Sequence, residues 1–245
     1  MRAWLAVLVL FPACLAAQAG QGGGPSALRS MLQDQDPEIR MKAAEGLGRV
    51  GTTESVVILR QGLGDKEIAV RTAVVAALGY IGGQLAMTVL SEALKDKEPE
   101  VRLRAVEALR DAGTVNSIPI IEKAFGDREE GVRLHAALML RQIGHRRVVP
   151  VLGKVAADDK SPAVRAAAAE YLGAVGVKNR RAVAFLETVM SDREPAVRLK
   201  AVEALGFLQL PQAVPILEKA LKDRDAAVRI RATEVLGRVL AREFE

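Results

Sequence analysis

The sequence predicts an all-α protein made of about seven stacked two-helix repeats. One short pattern of Asp, Arg and Leu recurs seven times at a nearly constant period. Apolar residues inside each period follow helical spacing, and 50% of all residues are hydrophobic although only 3% are aromatic. A period of this length with helical patterning indicates units that cannot bury their apolar faces alone and therefore stack on one another.

The recurring pattern keeps one register along the chain. Its arginines are separated by 31, 31, 31, 32, 33 and 31 positions, and they are Arg40, Arg71, Arg102, Arg133, Arg165, Arg198 and Arg229. Six positions before each arginine stands an aspartate: Asp34, Asp65, Asp96, Asp127, Asp159, Asp192 and Asp223. One such pair per repeat is typical of a structural ladder, in which each guanidinium bonds to aspartates or turn carbonyls of its own and the adjacent repeat.

The residues after each aspartate predict the second helix of the repeat. In the third repeat, Pro99 stands where a helix begins, because its missing N–H costs nothing at that position. Val101, Ala105 and Leu109 then share one helical face, and charged residues occupy the opposite face. This pattern predicts an amphipathic helix of about three turns.

The first helix of each repeat is predicted from a second apolar segment upstream. These segments are 27–32, 55–63, 85–94, 117–125, 148–155, 183–190 and 214–221. Glycines follow the second helices, where a left-handed C-terminal residue favours glycine. The glycines that cluster where the second helices are expected to end are Gly48, Gly51, Gly79, Gly82, Gly144, Gly173 and Gly176.

The repeat consensus, Asp-Pro-x-Val-Arg-x-x-Ala-x-x-Ala-Leu-Gly-x-x-Gly, resembles the HEAT-like repeats of the phycobilisome lyase type. The resemblance covers residues 26 to about 240. It implies a right-handed α-solenoid whose second helices line the concave side. It also implies one alternative function, that of a chromophore lyase-like enzyme or a lyase-related subunit. Fold analogy does not select one activity, because such repeats occur in lyases, scaffolds and adaptors.

The first residues predict export. Residues 1–19 combine a basic start, a short apolar run and small residues, which is typical of a secretory signal peptide. Residues 20–25 are then a flexible linker, 26–240 the solenoid, and 241–245 a C-terminal tail. A lipid anchor on Cys14 is the alternative. Cleavage before Gly20 would leave a periplasmic or secreted protein without cysteine.

Catalytic motifs are missing from the sequence. The two histidines, His135 and His145, are isolated, and Cys14 is the only cysteine. Neither histidine begins a His-Glu pair, which argues against a di-iron hydroxylase. Neither a glycine-rich phosphate loop nor a serine nucleophile elbow is found. We therefore predict no catalytic, cofactor or metal site.

The concave positions, two and five after each arginine, predict a binding surface for a protein or peptide. Most repeats place charged side chains there, which makes a zwitterionic face that does not follow a nucleic-acid backbone. The second repeat carries two alanines instead, and the fourth carries a histidine and a leucine. The predicted contact residues are Ala73, Ala76, Arg104, His135, Leu138 and Glu170. The alternative is that Leu134 and Leu138 pack against a neighbouring helix.

Two loops predict a second, basic surface. Because equivalent loops stack in a solenoid, their cations should gather on one edge. We name this group the basic edge: Arg146, Arg147, Lys178, Arg180 and Arg181. It could hold a polyanionic glycan, lipid headgroups or another anionic partner, or it could be a solvated group without a partner. The net charge of +5 is mild, and aromatic residues for stacking on bases are lacking, which argues against nucleic acid.

Overall fold

The computed structural model describes residues 24–241, and this part of the chain is helical without a strand. The predicted signal peptide, Cys14, most of the predicted linker and residues 242–245 lie outside the described residues. The described helices form seven successive pairs. The prediction of an all-α array of seven two-helix repeats is therefore confirmed.

The helices alternate between first and second positions of the repeats. The first helices are α1 (Pro25–Met31), α3 (Thr53–Gly62), α5 (Gly83–Ala93), α7 (Ile118–Ile121), α9 (Val149–Asp158), α11 (Arg180–Val189) and α13 (Val214–Ala220). The second helices are α2 (Pro37–Val50), α4 (Ile68–Ile81), α6 (Pro99–Gly113), α8 (Glu130–Ile143), α10 (Pro162–Val175), α12 (Pro195–Phe207) and α14 (Ala226–Ala241). Short 3₁₀ turns precede α9 and α13 and flank α7 on both sides.

The first helix of the fourth repeat departs from the prediction. The segment 117–125 does not form one α-helix, because α7 has only four residues between 3₁₀ turns. The buried apolar side chains of this segment, Ile118, Ile121 and Ala124, are spaced by three. A 3₁₀-helix has three residues per turn, so this spacing keeps them on one face. The segment thus buries an apolar stripe without a regular α-helix.

One hydrophobic core runs through the array. It extends from Ala44 in α2 to Val235 in α14. The leucine seven positions after each ladder arginine is fully buried in the first six repeats, as in Leu109, and partly buried in Leu236. Second helices contact each other more extensively than first helices do in most repeats. The second helices therefore lie on the more tightly packed, concave side.

The arginines and aspartates form a ladder across the six interfaces between consecutive repeats. Arg102 donates from Nε to Oδ2 of Asp127 at 2.6 Å and from Nη2 to Oδ1 at 2.9 Å. Its Nη1 donates to the carbonyl oxygens of Asp96 and Lys97 in its own turn. Asp127 Oδ1 also accepts the amide of Glu129. The other five pairs repeat this arrangement: Arg40–Asp65, Arg71–Asp96, Arg133–Asp159, Arg165–Asp192 and Arg198–Asp223.

In the ladder, hydrogen bonds together shift the pKa values of the charged groups more strongly than burial does. Burial opposes ionisation of Asp65, but the hydrogen bonds from Arg40 and the amide of Glu67 outweigh it and lower its pKa. Asp127 and Asp192 have lowered pKa values for the same reasons, and in Asp223 the hydrogen bond from Arg198 is the largest effect. Hydrogen bonds to aspartate raise the pKa of the arginine against the effect of burial in Arg40, Arg71, Arg102, Arg165 and Arg198.

The predicted helix-ending glycines have two different roles. Gly51, at the end of α2, adopts the left-handed conformation with φ +69°, and Gly82 and Gly144 also have positive φ. The prediction was wrong for Gly48, Gly79 and Gly173, which lie inside second helices. A Cβ on Gly48, Gly79 or Gly173 would meet an alanine of the next second helix: Ala77, Ala108 or Ala204. These three glycines permit close approach of helices.

The α8 helix lies between two looser contacts. It packs less extensively on α6 and α10 than the other neighbouring second helices pack on each other. Large residues occupy the register of the close glycine–alanine contacts here: Arg110 with Met139, and Arg141 with Tyr171. The Arg141 guanidinium lies 5.3 Å from the centre of the Tyr171 ring. The looser helix packing thus occurs where large side chains replace the glycine and alanine of the close contacts.

Candidate interaction surface

Ion pairs line the concave face in the C-terminal half. Lys200 Nζ lies 2.9 Å from Glu170 and 3.1 Å from Glu203. Arg231 continues the chain, because it contacts both Glu203 and Glu234. Each exposed pair contributes little to stability. Together they engage the charged side chains of three consecutive repeats with one another.

A groove interrupts this charged face in the N-terminal half. It has a volume of about 420 Å³. Ala73 and Ala76 of α4 form its apolar floor, where the other repeats place larger side chains at one or both positions. We name it the alanine groove, and its larger lining residues are Glu45, Arg49, Tyr80 and Arg104. The small side chains of one repeat thus create a recess between charged neighbours.

Tyr80 and Arg49 were not predicted as site residues. Tyr80 is 77% exposed although it belongs to an aromatic-poor chain. Arg49 is exposed and forms no ion pair with any residue in the described range. Both stand nine positions after a ladder arginine, and the same position carries Phe207, 57% exposed. Inspecting that register position in the sequence would have found them.

His135 and Leu138 lie on α8, outside the alanine groove. Leu138 and Leu134 are partly buried and pack against the core, as the alternative interpretation expected. His135 Nε2 lies 3.0 Å from Oε1 of Glu107. These atoms are not aligned as a hydrogen bond, and the nitrogen has no other hydrogen-bond partner within residues 24–241. This part of the face therefore offers little free apolar surface.

The six predicted contact residues fall into three places. Ala73, Ala76 and Arg104 line the alanine groove. His135 and Leu138 lie one repeat further along from Arg104, on α8. Glu170 pairs with Lys200 in the ion-pair chain instead of lining the groove. The alanine groove therefore spans repeats one to three, rather than repeats two to five.

The basic edge carries cations without acidic partners. Its five side chains are exposed, and none forms an ion pair with a residue of the described range. Arg180 and Arg181 begin α11, and Arg146 and Arg147 begin the turn before α9. Because α9 and α11 pack together, the two helix starts lie on the same edge. Cations at helix N-termini are unfavourable with the helix dipole, whereas an anion is favoured there.

Two other kinds of site are not formed by the described residues. Within 24–241, no three His, Cys, Asp or Glu side chains cluster as ligands for a metal ion. No helix in the same range has the length and apolar character needed to cross a bilayer.

Comparison with known proteins identifies the family. HEAT repeats match residues 25–110, 87–173, 118–192 and 149–237. These overlapping matches cover most of the sequence, so the chain belongs to the HEAT-repeat family, and the resemblance found in the sequence is confirmed. A search of curated proteins gave no significant match.

Several solved structures are similar to this chain. A chain from a structure of Kap95p with RanGDP is 15% identical, with a TM-score of 0.60 over 87% of this chain and 34% of that chain. Human deoxyhypusine hydroxylase is 21% identical, with a TM-score of 0.46 over 91% of this chain and 86% of its own. The CpcE–CpcF phycocyanin lyase complex of Nostoc sp. is 20% identical, with a TM-score of 0.46 over 91% and 97%. These likenesses concern the fold alone.

Proposed function

We propose that this HEAT-repeat protein is an exported, non-catalytic scaffold that holds a protein or peptide in the alanine groove. The observation that carries the proposal is an exposed Tyr80 beside an apolar floor with charged residues at the rim. Tyrosine and arginine are enriched at the centres of binding sites, where surrounding polar residues exclude water. The groove has this composition, and the rest of the described concave face is more evenly charged.

The charges around the groove define the chemistry of its partner. Arg49 is free to pair with an acidic group, whereas Arg104 is already engaged with Glu107 at 2.7 Å and Glu45 with Lys42 at 3.0 Å. The floor of two alanines admits an apolar side chain that would pack beside the Tyr80 ring. The expected ligand is therefore a segment with an apolar anchor next to an aspartate or glutamate.

Filling the groove tests this function with a matched control. Ala73→Arg places a long side chain on the groove floor, and Ala167→Arg makes the same change at the equivalent position of the fifth repeat. Proteins captured from cell extract by the parent should be lost with Ala73→Arg and retained with Ala167→Arg, as measured by mass spectrometry. Binding of a captured partner should weaken roughly thirtyfold with Tyr80→Ala, the loss typical of a central contact.

Each outcome of the capture experiment bears on the proposal. If both arginine variants lose the captured proteins equally, the contact does not lie in the groove. Retention of the same proteins by all variants would contradict a concave site. Circular dichroism of each variant checks that helicity is unchanged, so that lost binding is not lost folding.

The proposed location outside the cytosol rests on the pattern of residues 1–19. N-terminal sequencing of protein purified from its source should begin at Gly20. A chain that begins at Met1 and stays in the cytosol would contradict export. A chain that begins at Cys14 with the added mass of acyl groups would establish the lipid anchor instead.

A second candidate function is polyanion binding through the basic edge. The observation in its favour is the concentration of five cations without acidic partners at two helix starts. Binding to a sulfated polysaccharide should weaken steeply with added salt. It should be lost with Arg146→Glu and Arg181→Glu together but kept with Lys154→Glu, an exposed control on α9. Binding that ignores both salt and the double substitution would exclude this surface.

A further inference from the structure

The ladder is incomplete at both ends of the described array. Arg229 donates from Nη1 to the carbonyl oxygens of Asp223 and Arg224, as interior arginines do in their own turns. Within 24–241, however, no aspartate accepts from its Nε and Nη2. At the other end, the carboxylate of Asp34 accepts the amide of Asp36, and within the same range no arginine donates to that carboxylate. Each end thus carries one half of the pair that joins every interior interface.

Apolar side chains at the two ends are exposed where their interior equivalents are covered. Ile230, next to Arg229, is 61% exposed, whereas the equivalent Leu199 is partly buried against the core. At the first repeat, Val50 is 42% exposed, whereas the equivalent Leu208 is fully buried. Met31 is also exposed at a position that is buried in most later repeats. Terminal repeats of a solenoid normally carry a polar outer face, whereas these three side chains leave apolar surface exposed.

We propose that the two ends are one interaction surface, on which repeat seven of one molecule docks repeat one of a second copy. Arg229 of the first copy would donate to Asp34 of the second, in the geometry that Arg198 and Asp223 adopt within the chain. Ile230 would then be partly covered, as the equivalent Leu199 is within the chain. The occupant is assigned as a second copy because its charge and register complete the ladder that the chain already repeats six times.

Helix packing at the seventh repeat leaves room for this approach. In close interior interfaces a glycine eight positions after the ladder arginine faces a small residue of the next second helix. The equivalent Gly237 has open space where a Cβ would point. The corresponding residue of repeat one is Gly46, and the end of the Leu28 side chain lies against it, so Leu28 has to rotate aside for a helix to approach. Such a contact joins different surfaces of identical molecules, so assembly continues as a ring or a filament.

Charge reversal at the two ends gives a direct test by sedimentation equilibrium across a concentration series of the full chain. Association of the parent should weaken by roughly tenfold or more with Arg229→Asp alone or Asp34→Arg alone, because each places like charges opposite one another. Mixing the two variants should restore association, since each then offers one unaltered end to the other. A self-complementary contact through a single patch would not be restored in this way.

A substitution at an exposed apolar position tests the same contact without altering the ladder. Ile230→Glu is expected to reduce association to the same degree, and Val57→Glu, at a 52% exposed position on α3, should leave it unchanged. The inference is overturned if the parent is monomeric up to its solubility limit. It is also overturned if association persists unchanged in the end variants.

Discussion

Neighbouring second helices make two kinds of contact, close and loose, although the Arg–Asp pairs of the ladder are the same along the whole described array. Where α2 meets α4, and where α10 meets α12, a glycine faces an alanine and the helices approach closely. On both sides of α8, large residues occupy those positions and the contacts are looser. The Arg–Asp pairs are the same throughout, with Nε–Oδ2 distances of 2.6 Å for Arg40 and 2.9 Å for Arg133.

The comparison separates two tasks of the repeat sequence. The ladder fixes consecutive repeats to one another at the turn between their helices, whatever the spacing on the other side. The glycine–alanine position sets how closely the second helices approach, and it varies along the chain. Local curvature of the array therefore depends on a few small residues, and stacking depends on the conserved register of the pairs within this chain.

Acid should produce the largest effect, because it acts on many interfaces at once. The pKa values of Asp65, Asp127, Asp192 and Asp223 are lowered in the folded chain. Their stabilising contribution is therefore complete above the unfolded value near about 4 and is lost as pH falls through the lower folded values. Urea denaturation at successive pH values should show this loss below about pH 4. Constant stability across that range would contradict the role given to the ladder.

Breaking one interior pair should have the next largest effect. Arg102→Met leaves the carboxylate of Asp127 buried without its partner, which should lower the free energy of unfolding by about 3–5 kcal/mol. Arg229→Met is the matched control, because its exposed guanidinium has no acidic partner within 24–241. The control should change stability by less than about 1 kcal/mol in urea denaturation of dilute protein. Equal losses in the two variants would show that the cross-repeat bond contributes nothing.

Glycine-to-alanine substitution should lower stability where helices approach closely and raise it where the glycine faces open space. A Cβ on Gly173 would lie 2.6 Å from Cα of Ala204, so Gly173→Ala should destabilise the chain by about 1–3 kcal/mol. Gly237→Ala meets nothing within 4 Å and should stabilise α14 by about 0.5–1 kcal/mol. Thermal denaturation of both variants measures the difference. A gain of stability at Gly173 would remove the close-contact explanation.

The smallest effect is expected at the looser contacts. Arg141→Ala removes the cation held over the Tyr171 ring, which should cost about 0.5–1 kcal/mol. A double-mutant cycle with Tyr171→Leu isolates this coupling from the loss of packing. Additive effects of the two substitutions would mean that the looser contact of α8 receives no stabilisation from this pair.

Most of the fold could be predicted from the sequence, because every repeat confirms the register of the others. The ladder aspartates, arginines and leucines recur at fixed offsets, so one helical interpretation satisfies all seven units. The roles of Gly48 and Gly51 could not be distinguished in the same way. Both precede a turn, but one is determined by a neighbouring helix and the other by its own backbone.

The candidate site was predicted only in part. Ala73 and Ala76 were identified because they interrupt a charged pattern along the sequence. Glu170 was included because it stands five positions after a ladder arginine. Its pairing with Lys200 could not be predicted, since Lys200 lies on the next second helix and nothing in the sequence near Glu170 indicates the pair. Tyr80 was missed because only the positions two and five after each arginine were considered, although the position nine after it also carries exposed residues in other repeats.

The ladder also determines where the chain tolerates extra residues. The step from each aspartate to the arginine that bonds its carbonyl is 6 residues in every described case, such as Asp34 to Arg40. The span from an arginine to the next aspartate stretches from 25 to 26 and 27 residues. An insertion in the short step would separate a guanidinium from both sets of acceptors at once. Grafted loops and tags therefore belong in the longer span, such as the segment after α10, where the chain already accommodates additional residues.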